Sequence, residues 1–491
     1  MVNNIVTVKE EIFKNSTTVE CKLPVSLVDG ESVINLTANS EINSVTVDNG
    51  LVTYNGKTVF TLLYIDSGNV KKCEHGVEFS FKVDVNCAKK GDIVRLLLKT
   101  VGEKISFANG IASASANIMV TGVVVCQVVT DVQKDLDAFL CKKQEVKSYN
   151  EIASVQKTVS IEDEFELNYA VKDVLCHDER VIVKGVEAGI GAINIDGEIE
   201  VTAYLNKLDS DEISKERKTI PFSIEIEQSD AYPSCLAYAN VVVNTCYLKA
   251  FVDEGKNKSD FSIEANLSVT AVLVENATYN VVLDAYSTTN EMVLNKNDVN
   301  LVEFLGVVNS ENQINGDINY EITKNDRLIA VVGVKIEGEE YEYQNNVLKA
   351  SGVVSATAIL YTEQGIKGVE LSCPYEVALN VTGNTYLDPS VSIRNFDVRL
   401  TPSGFNYSFT VTATCKNLMQ KTVKVVSAVE NTGEKQVNDY AISVYFAENG
   451  ETLWDSSKVL GVSEEELMRY NDNLVDTFTG EERLVVFREE K

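Results

Sequence analysis

The chain has 491 residues, a formal net charge of −29 and a hydrophobic content of 44%. The hydrophobic content is sufficient for packed cores and excludes a disordered chain. The negative field repels phosphate backbones and anionic membranes, which argues against nucleic acid and lipid as main partners. A chain of this length predicts about three to five domains of ordinary size.

The N-terminal residues and the cysteines indicate a cytoplasmic protein. The first ten residues contain no basic segment leading into an apolar core, which a secretory signal requires. No stretch reaches the ~18 apolar residues of a spanning helix, so we expect no membrane insertion. The ten cysteines form no C-x-x-C pair, and Cys126 and Cys415 lie in runs typical of buried thiols in a reducing compartment.

Strand signals dominate the chain up to about residue 437. In runs such as 79–85, 199–205 and 222–226, apolar residues alternate with polar or small ones, which predicts sheets with one buried face. A hairpin loop is also expected at Cys73-Glu74-His75-Gly76. Asn-Gly and Asp-Gly pairs, the strongest short hairpin signals, occur at Asn49-Gly50, Asn55-Gly56, Asn109-Gly110, Asp196-Gly197 and Asn315-Gly316. The predicted fold class is mostly β and antiparallel.

The strand signals recur in the same order three times. Gly56, Gly197 and Gly352 each open a predicted strand and are 141 and 155 residues apart. Asp137-Ala138-Phe139 and Asp284-Ala285-Tyr286 form a second repeated marker. Units of this length each contain a full core, so they are tandem domains and not solenoid repeats. We predict three β-sandwich-like domains, at residues 1–140, 141–290 and 291–437.

A different pattern begins at the C-terminal module, residues 438–491. Ser443–Phe446 predicts a short strand that ends at the Asn449-Gly450 turn, and Leu484–Phe487 predicts a closing strand. The module is therefore predicted to be a small α+β unit of strand, helix, helix and strand.

Capping signals define the two helices of the C-terminal module. Thr452 precedes Asp455 by three residues, and Ser463 precedes Glu466 by three, which is the spacing of a capping box. So small a unit has a thin core. The residues expected to fill it are Leu453, Trp454, Leu460, Val462 and Leu467.

The C-terminal module resembles a LysM module. Gly450-Glu451-Thr452-Leu453-Trp454 is similar to the family's Gly-Asp-Thr-Leu-Trp loop, and Val462-Ser463, Leu467 and Asn471 match its second motif. The chain departs from the family at Glu451, where Asp is usual, and at Gly480-Glu481, which replaces Pro-Gly-Gln. The resemblance implies a groove for N-acetylglucosamine polymers, formed by Gly450, Glu451, Thr452, Asn471 and Asp472.

The β repeats followed by such a module are similar to the SipL-type spore coat proteins of the clostridia, whose repeat is the SPOCS domain. The middle unit carries the resemblance best, in residues 181–197 and at Asp284-Ala285-Tyr286-Ser287-Thr288. The first unit is the most divergent. The resemblance implies a non-enzymatic adaptor in the mother-cell cytoplasm, at the forespore surface. Its partner would be the coat-basement ATPase, stage IV sporulation protein A, bound through the C-terminal module.

No catalytic set, metal site or cofactor motif is predicted. The chain has two histidines, His75 and His177, and neither lies in a nucleophile-elbow context. Each histidine has a cysteine nearby in the sequence, but neither has two further ligand residues close by. Zinc sites need about four ligands. The sequence has no Walker loop and no G-x-G-x-x-G motif. The enzyme hypothesis therefore has no positive support.

Two other readings of the chain remain open, a peptidoglycan-binding wall protein and an undetected hydrolase. The first would use Glu451, Thr452 and Asn471 on glycan. For the adaptor, the hypothesis is that the helical face of the C-terminal module holds the partner, so Glu465→Lys would weaken binding more than Thr452→Ala. Trp454 has a competing interpretation as a core residue. The candidate partner-binding residues are Gly450, Glu451, Thr452, Leu453, Trp454, Glu465, Leu467, Asn471 and Asp472.

Overall fold

In the computed structural model the chain is almost entirely antiparallel β-structure, which confirms the predicted fold class. Two short helices lie near the C-terminus of the described part of the chain. Neither has the length or apolar character that a membrane crossing requires. The structure describes residues 2–27, 32–90, 92–108, 110–133, 136, 139–208, 213–253, 257–436 and 441–487.

The first β unit is a sandwich of two antiparallel sheets. One sheet is the meander β2-β3-β4, and the other has the order β1-β6-β5. Apolar residues from both central strands fill the space between the sheets, among them Tyr54, Phe60 and Ile118. The strands are β1 (Val2–Lys22), β2 (Val33–Asp48), β3 (Leu51–Asp66), β4 (Asn69–Asp84), β5 (Ile93–Ala108) and β6 (Ile111–Gln133).

The second and third β units repeat this topology. The second has strands β7 (Leu140–Leu167), β8 (Val171–Ala188), β9 (Ala192–Lys207), β10 (Ile213–Glu227), β11 (Leu236–Asp253) and β12 (Lys258–Tyr286). The third has strands β13 (Asn290–Asn319), β14 (Arg327–Gln344), β15 (Val347–Thr362), β16 (Gly365–Asn380), β17 (Thr385–Thr401) and β18 (Gly404–Glu434). In each of these units the second, third and fourth strands form a meander, β8-β9-β10 or β14-β15-β16. The last strand of the unit, β12 or β18, is central in the other sheet.

The predicted alternation of buried and exposed residues is clearest in the third β unit. Along β18, Phe405, Tyr407, Phe409, Val411 and Cys415 are buried, with the intervening residues less so. Period two places these side chains on the face toward the partner sheet. Cys415 is therefore a core thiol, as its sequence context predicts, whereas the Cys126 side chain lies outside the described residues.

The three repeated glycines lie in the middle of strands, so the prediction that they open strands was wrong. Gly56 is paired with Phe79, Gly197 with Phe222, and Gly352 with Tyr375, each across two neighbouring strands. In each pair the aromatic ring covers the glycine, where a β-carbon would lie within 3.0 Å of ring atoms. The same cross-strand contact, an aromatic side chain packed over a glycine, thus recurs in each β unit and accounts for the spacing of the repeated glycines.

We expect Gly197→Ala to lower the free energy of unfolding by about 1–3 kcal/mol, the usual cost of overpacking. The added β-carbon would lie 2.4 Å from Phe222 Cζ and 2.5 Å from the Ile182 carbonyl oxygen, and a backbone atom cannot simply rotate away. Gly185→Ala is the matched control, because its β-carbon meets nothing within 4 Å. Urea unfolding of both variants checks this, and equal stabilities would contradict it.

Turn signals are only partly confirmed. Gly50 (φ 78°) and Gly110 (φ 74°) lie at the β2–β3 and β5–β6 turns, as predicted, while Asn109 lies outside the described residues. The pairs Asn55-Gly56, Asp196-Gly197 and Asn315-Gly316 lie inside β3, β9 and β13 instead. His75 lies within β4 opposite Phe60, so the predicted loop at residues 73–76 was also wrong. The aromatic partners of the glycines outweigh their turn preference.

The three β units pack against one another through shared apolar clusters. One cluster joins Ile5 of the first unit, Val281 of the second and Val425 of the third. Another joins residues such as Leu63, Cys176 and Ile359, again one from each unit. These contacts make the β units one packed body, which sequence alternation alone does not predict.

A buried polar network also crosses all three β units. Arg95 of β5 donates to the Glu151 carboxylate of β7 and to the Tyr238 hydroxyl of β11, at 2.7 Å to the hydroxyl. Lys416 of β18 donates to the same hydroxyl at 2.8 Å, and its ammonium lies 3.9 Å from the Tyr238 ring centroid. Tyr238 is thus the point at which the charged groups of the three units meet.

The C-terminal module has the predicted order, with β19 (Ile442–Phe446), α1 (Leu453–Leu460), α2 (Glu464–Tyr470) and β20 (Arg483–Phe487). Thr452 and Asp455 form the predicted capping box of α1, and the Ser463 hydroxyl accepts from the Glu466 N–H at the start of α2. Gly461 ends α1 in the left-handed region, at φ 68°. Local capping chemistry therefore fixes both helices.

Candidate functional site

The core of the C-terminal module is built differently from the predicted one. Leu453, Val462 and Leu467 are buried in it as expected, and Leu460 packs against it. Phe478 and Val486, which the sequence reading missed, complete it. Trp454 is buried as well, but its ring lies outside this cluster, against the second β unit.

Trp454 docks the C-terminal module onto the end of β12. Its ring meets Tyr286 edge-on at 4.9 Å between centroids and 72° between planes. Its indole N–H donates to the Asp284 carboxylate at 3.0 Å, and the Lys458 ammonium donates to the same oxygen at 2.7 Å. The Tyr286 hydroxyl donates to the Val462 carbonyl at 2.8 Å. We call these residues, Asp284, Tyr286, Trp454, Lys458 and Val462, the module joint.

Electrostatics favours the closed module joint. Burial alone would raise the pKa of Asp284, but donors from Lys458, Trp454 and Lys296 outweigh it and lower that pKa from 3.8 to about 2. Burial, and to a smaller extent the negative charge of Glu464, raise the pKa of Tyr286 to about 12. The Tyr286 hydroxyl therefore keeps the proton that it donates. The Asp-Ala-Tyr marker of the second unit is thus a docking site for the module. Of the corresponding marker in the first unit, Asp137 and Ala138 lie outside the described residues.

Acid is expected to open the module joint. Because the folded-state pKa of Asp284 is lowered, its contribution is complete above 3.8 and is lost as the pH falls toward about 2. Trp454 is the only tryptophan in the chain, so its fluorescence reports the joint directly. We expect its emission to shift to longer wavelength over this pH range.

The matched variant for this experiment is Asp284→Asn. It removes the titrating group and should give the shifted emission already at neutral pH. Circular dichroism in parallel establishes that the β units are still folded. Emission that stays constant until the whole chain unfolds would contradict a joint held by Asp284.

The predicted sugar-groove residues use their polar atoms within the C-terminal module. The Glu451 carboxylate accepts from the Tyr445 and Ser456 hydroxyls, each at 2.9 Å. The Asn471 side chain donates to the Leu467 and Val485 carbonyls and accepts from the Val485 N–H. Thr452 caps α1, and Gly450 forms a turn at φ 87°. These groups hold the module together.

The two loops of the predicted groove are in direct contact. The Leu453 N–H donates to the Asp476 carbonyl at 3.1 Å, and the Phe478 N–H donates to the Glu451 carbonyl at 2.8 Å. Of the remaining predicted residues, Leu453 and Leu467 are core residues, and Glu465 and Asp472 are exposed. Only the last two present polar side chains freely to a partner.

One face of the β19–β20 sheet in the C-terminal module is apolar and exposed. In β19 the exposed fractions are 57% for Ile442, 54% for Val444 and 64% for Phe446, and in β20 Phe487 is 43% exposed. The register pairs Ile442 with Phe487 and Val444 with Val485, so these side chains share one face. We call Ile442, Val444, Phe446, Val485 and Phe487 the apolar sheet face.

Aromatic and cationic contacts extend the apolar sheet face. The Tyr470 ring lies 5.1 Å from that of Phe487, and the Arg483 guanidinium lies 5.6 Å from the Phe446 ring centroid. The sequence reading missed this face, although the alternation of Ile442, Val444 and Phe446 was a visible signal. Contiguous exposed apolar surface of this kind marks binding sites.

Comparison with known families gives one match of direct relevance. The family model described as SipL, SPOCS domain, matches residues 29–108. The described residues of this segment, 32–90 and 92–108, lie in the first β unit, in which the sequence resemblance is weakest. No curated protein and no solved structure matches the chain.

Proposed function

We propose that the chain is a non-enzymatic adaptor of spore coat assembly, because the family model described as SipL, SPOCS domain, matches residues 29–108. In this proposal it acts in the mother-cell cytoplasm at the forespore surface. The C-terminal module binds a coat-basement ATPase, stage IV sporulation protein A. The three β units supply a firm base for that contact.

The apolar sheet face is the observation that carries this proposal. The module joint occupies the Trp454 side of the C-terminal module, whereas the sheet side stays open. Protein interfaces combine an apolar, aromatic centre with a polar rim. Phe446, Phe487 and Tyr470 supply the aromatic groups, and Arg483 lies at the edge.

Charge indicates the kind of surface that fits. Residues 441–487 contain ten acidic and three basic residues, and the whole chain carries −29. A partner patch with an apolar centre and lysine or arginine at its rim would complement this field and associate faster. A second copy of the chain would be repelled by it.

Peptidoglycan binding is the competing function, supported by the resemblance of the Gly450–Trp454 loop to sugar-binding modules. The internal use of the Glu451 and Asn471 side chains favours the protein partner over glycan. A groove residue that already satisfies its polar atoms within the module would have to give up those bonds to hold a sugar.

A pull-down from lysate of sporulating cells tests the proposal. The full chain is compared with a chain that ends at Gln436 and so lacks the C-terminal module. Capture of the ATPase by the full chain alone would support the adaptor function. Sedimentation with purified cell wall is the parallel assay, and co-pelleting with glycan in the absence of a protein partner would overturn the adaptor proposal.

A further inference from the structure

Three groups with metal-binding chemistry meet within the second β unit. His177 and Glu179 lie on β8, and Cys246 lies on β11. The His177 Nδ1 atom is 2.9 Å from a Glu179 carboxylate oxygen. One ligand atom of each residue, the ring nitrogen, the carboxylate oxygen and the sulfur, lies within 4.8 Å of the other two.

The fold, and not the local sequence, selects these three residues. His177 and Glu179 are two apart on one strand and therefore share a face. Cys176, the cysteine next to His177 in sequence, packs instead in the apolar cluster shared by the three β units. Cys246 comes from another sheet of the same unit, which explains why no local pair predicted the group.

The chemistry of the three groups fits zinc. Imidazole nitrogen, thiolate sulfur and carboxylate oxygen are the usual protein ligands of Zn²⁺, at about 2.0–2.3 Å. Tetrahedral geometry with such bonds separates the ligand atoms by roughly 3.3–3.8 Å. The His177 nitrogen and the Glu179 oxygen, 2.9 Å apart, therefore have to move slightly apart, and the Cys246 sulfur, within 4.8 Å of both, has to approach them. One thiolate and one carboxylate balance the charge of the ion, which suits a largely buried position.

A cavity borders the group at Glu179. Glu179 also lines a cavity of about 350 Å³ where the three β units meet, together with Arg180, Lys335 and Ser392. Of the three residues only Glu179 lines this cavity, and we infer that a water molecule approaches from the Glu179 side as the fourth ligand. Catalytic and exchangeable zinc sites commonly have three protein ligands and a water.

We propose that His177, Glu179 and Cys246 bind one Zn²⁺ ion. The ion links β8 to β11, which belong to different sheets, and so clamps the two sheets of the second β unit at their adjoining edges. This inference is independent of the partner-binding proposal, because it concerns a different part of the chain.

Cobalt substitution of the metal-free full chain tests the proposal. Co²⁺ in a tetrahedral site with a thiolate gives visible absorption and a charge-transfer band in the near ultraviolet. We expect one equivalent of Co²⁺ to produce both bands and one equivalent of Zn²⁺ to abolish them. Cys246→Ser should remove the charge-transfer band and weaken zinc binding by about 100-fold or more, beyond the ~10–100-fold typical of outer-shell changes.

Cys176→Ser is the matched control, since this buried cysteine adjoins His177 in sequence but packs elsewhere. It should bind cobalt and zinc as the unsubstituted chain does. Absence of the charge-transfer band in the unsubstituted chain would overturn the proposal without any variant. So would retention of the band in Cys246→Ser, or an equal loss in Cys176→Ser with its circular dichroism unchanged.

Discussion

Glu151→Ala is expected to lower the free energy of unfolding by about 3–5 kcal/mol, the cost of removing one member of a buried ion pair. The Glu151 side chain is 3% exposed and pairs with the Arg95 guanidinium. It also accepts from the Tyr238 hydroxyl, to which Lys416 donates. Without the carboxylate, the Arg95 guanidinium would lose its ion pair with Glu151 and would still lie near Lys416 across Tyr238, while Lys416 would keep its ion pair with Asp388.

Denaturant unfolding, followed by circular dichroism, measures the effect of Glu151→Ala. Glu151→Gln keeps a hydrogen-bond acceptor and should cost less. Lys71→Ala is the surface control, because its ion pair with Asp66 is about half exposed and should leave the unfolding midpoint unchanged. If Glu151→Ala were as stable as Lys71→Ala, the polar network would have no role in holding the units together.

Val444→Glu is expected to weaken binding of the proposed ATPase partner by about 30–100-fold, the effect of losing an interface hot spot. Val444 is central in the apolar sheet face, between Ile442 and Phe446 and opposite Val485. A carboxylate there would be desolvated on binding without a partner of its own. Its exposure of 54% means that the fold of the module should be unaffected.

Val459→Glu is the matched control, since Val459 is 61% exposed and belongs to α1 and not to the apolar sheet face. It should bind the partner normally. Glu465→Lys and Thr452→Ala test the helical face and the groove loop in the same assay. Normal binding by Val444→Glu together with loss in Glu465→Lys would place the contact on α2 and contradict binding through the apolar sheet face.

For the proposed adaptor, the module joint would hold the partner-binding surface of the C-terminal module in a fixed orientation. The module joint holds Trp454 and Lys458 against the end of β12, and the apolar sheet face lies on β19 and β20. The β units in turn share apolar clusters, so the base of the head is itself packed. Loss of Asp284 should therefore weaken partner binding by changing the orientation of the C-terminal module. Loss of Val444 should weaken it by removing a direct contact.

The sequence by itself determined the features that depend on close neighbours along the chain. Alternation in stretches such as Phe405–Cys415 predicted buried strand faces because side chains change face at every residue. The capping pair Thr452 and Asp455 predicted the start of α1, since both groups lie within one helical turn. The mostly-β class and the order of the C-terminal module followed from such local rules.

Only the tertiary structure decided which distant residues meet. Trp454 binds Asp284, 170 positions earlier, and this contact turns an expected core residue into the anchor of the module. Gly197 lies in a strand and not a turn because Phe222 covers it, and His177 meets Cys246 instead of Cys176. Period and capping act over a few residues, whereas these pairings depend on how whole sheets pack, for which local sequence patterns carry no information.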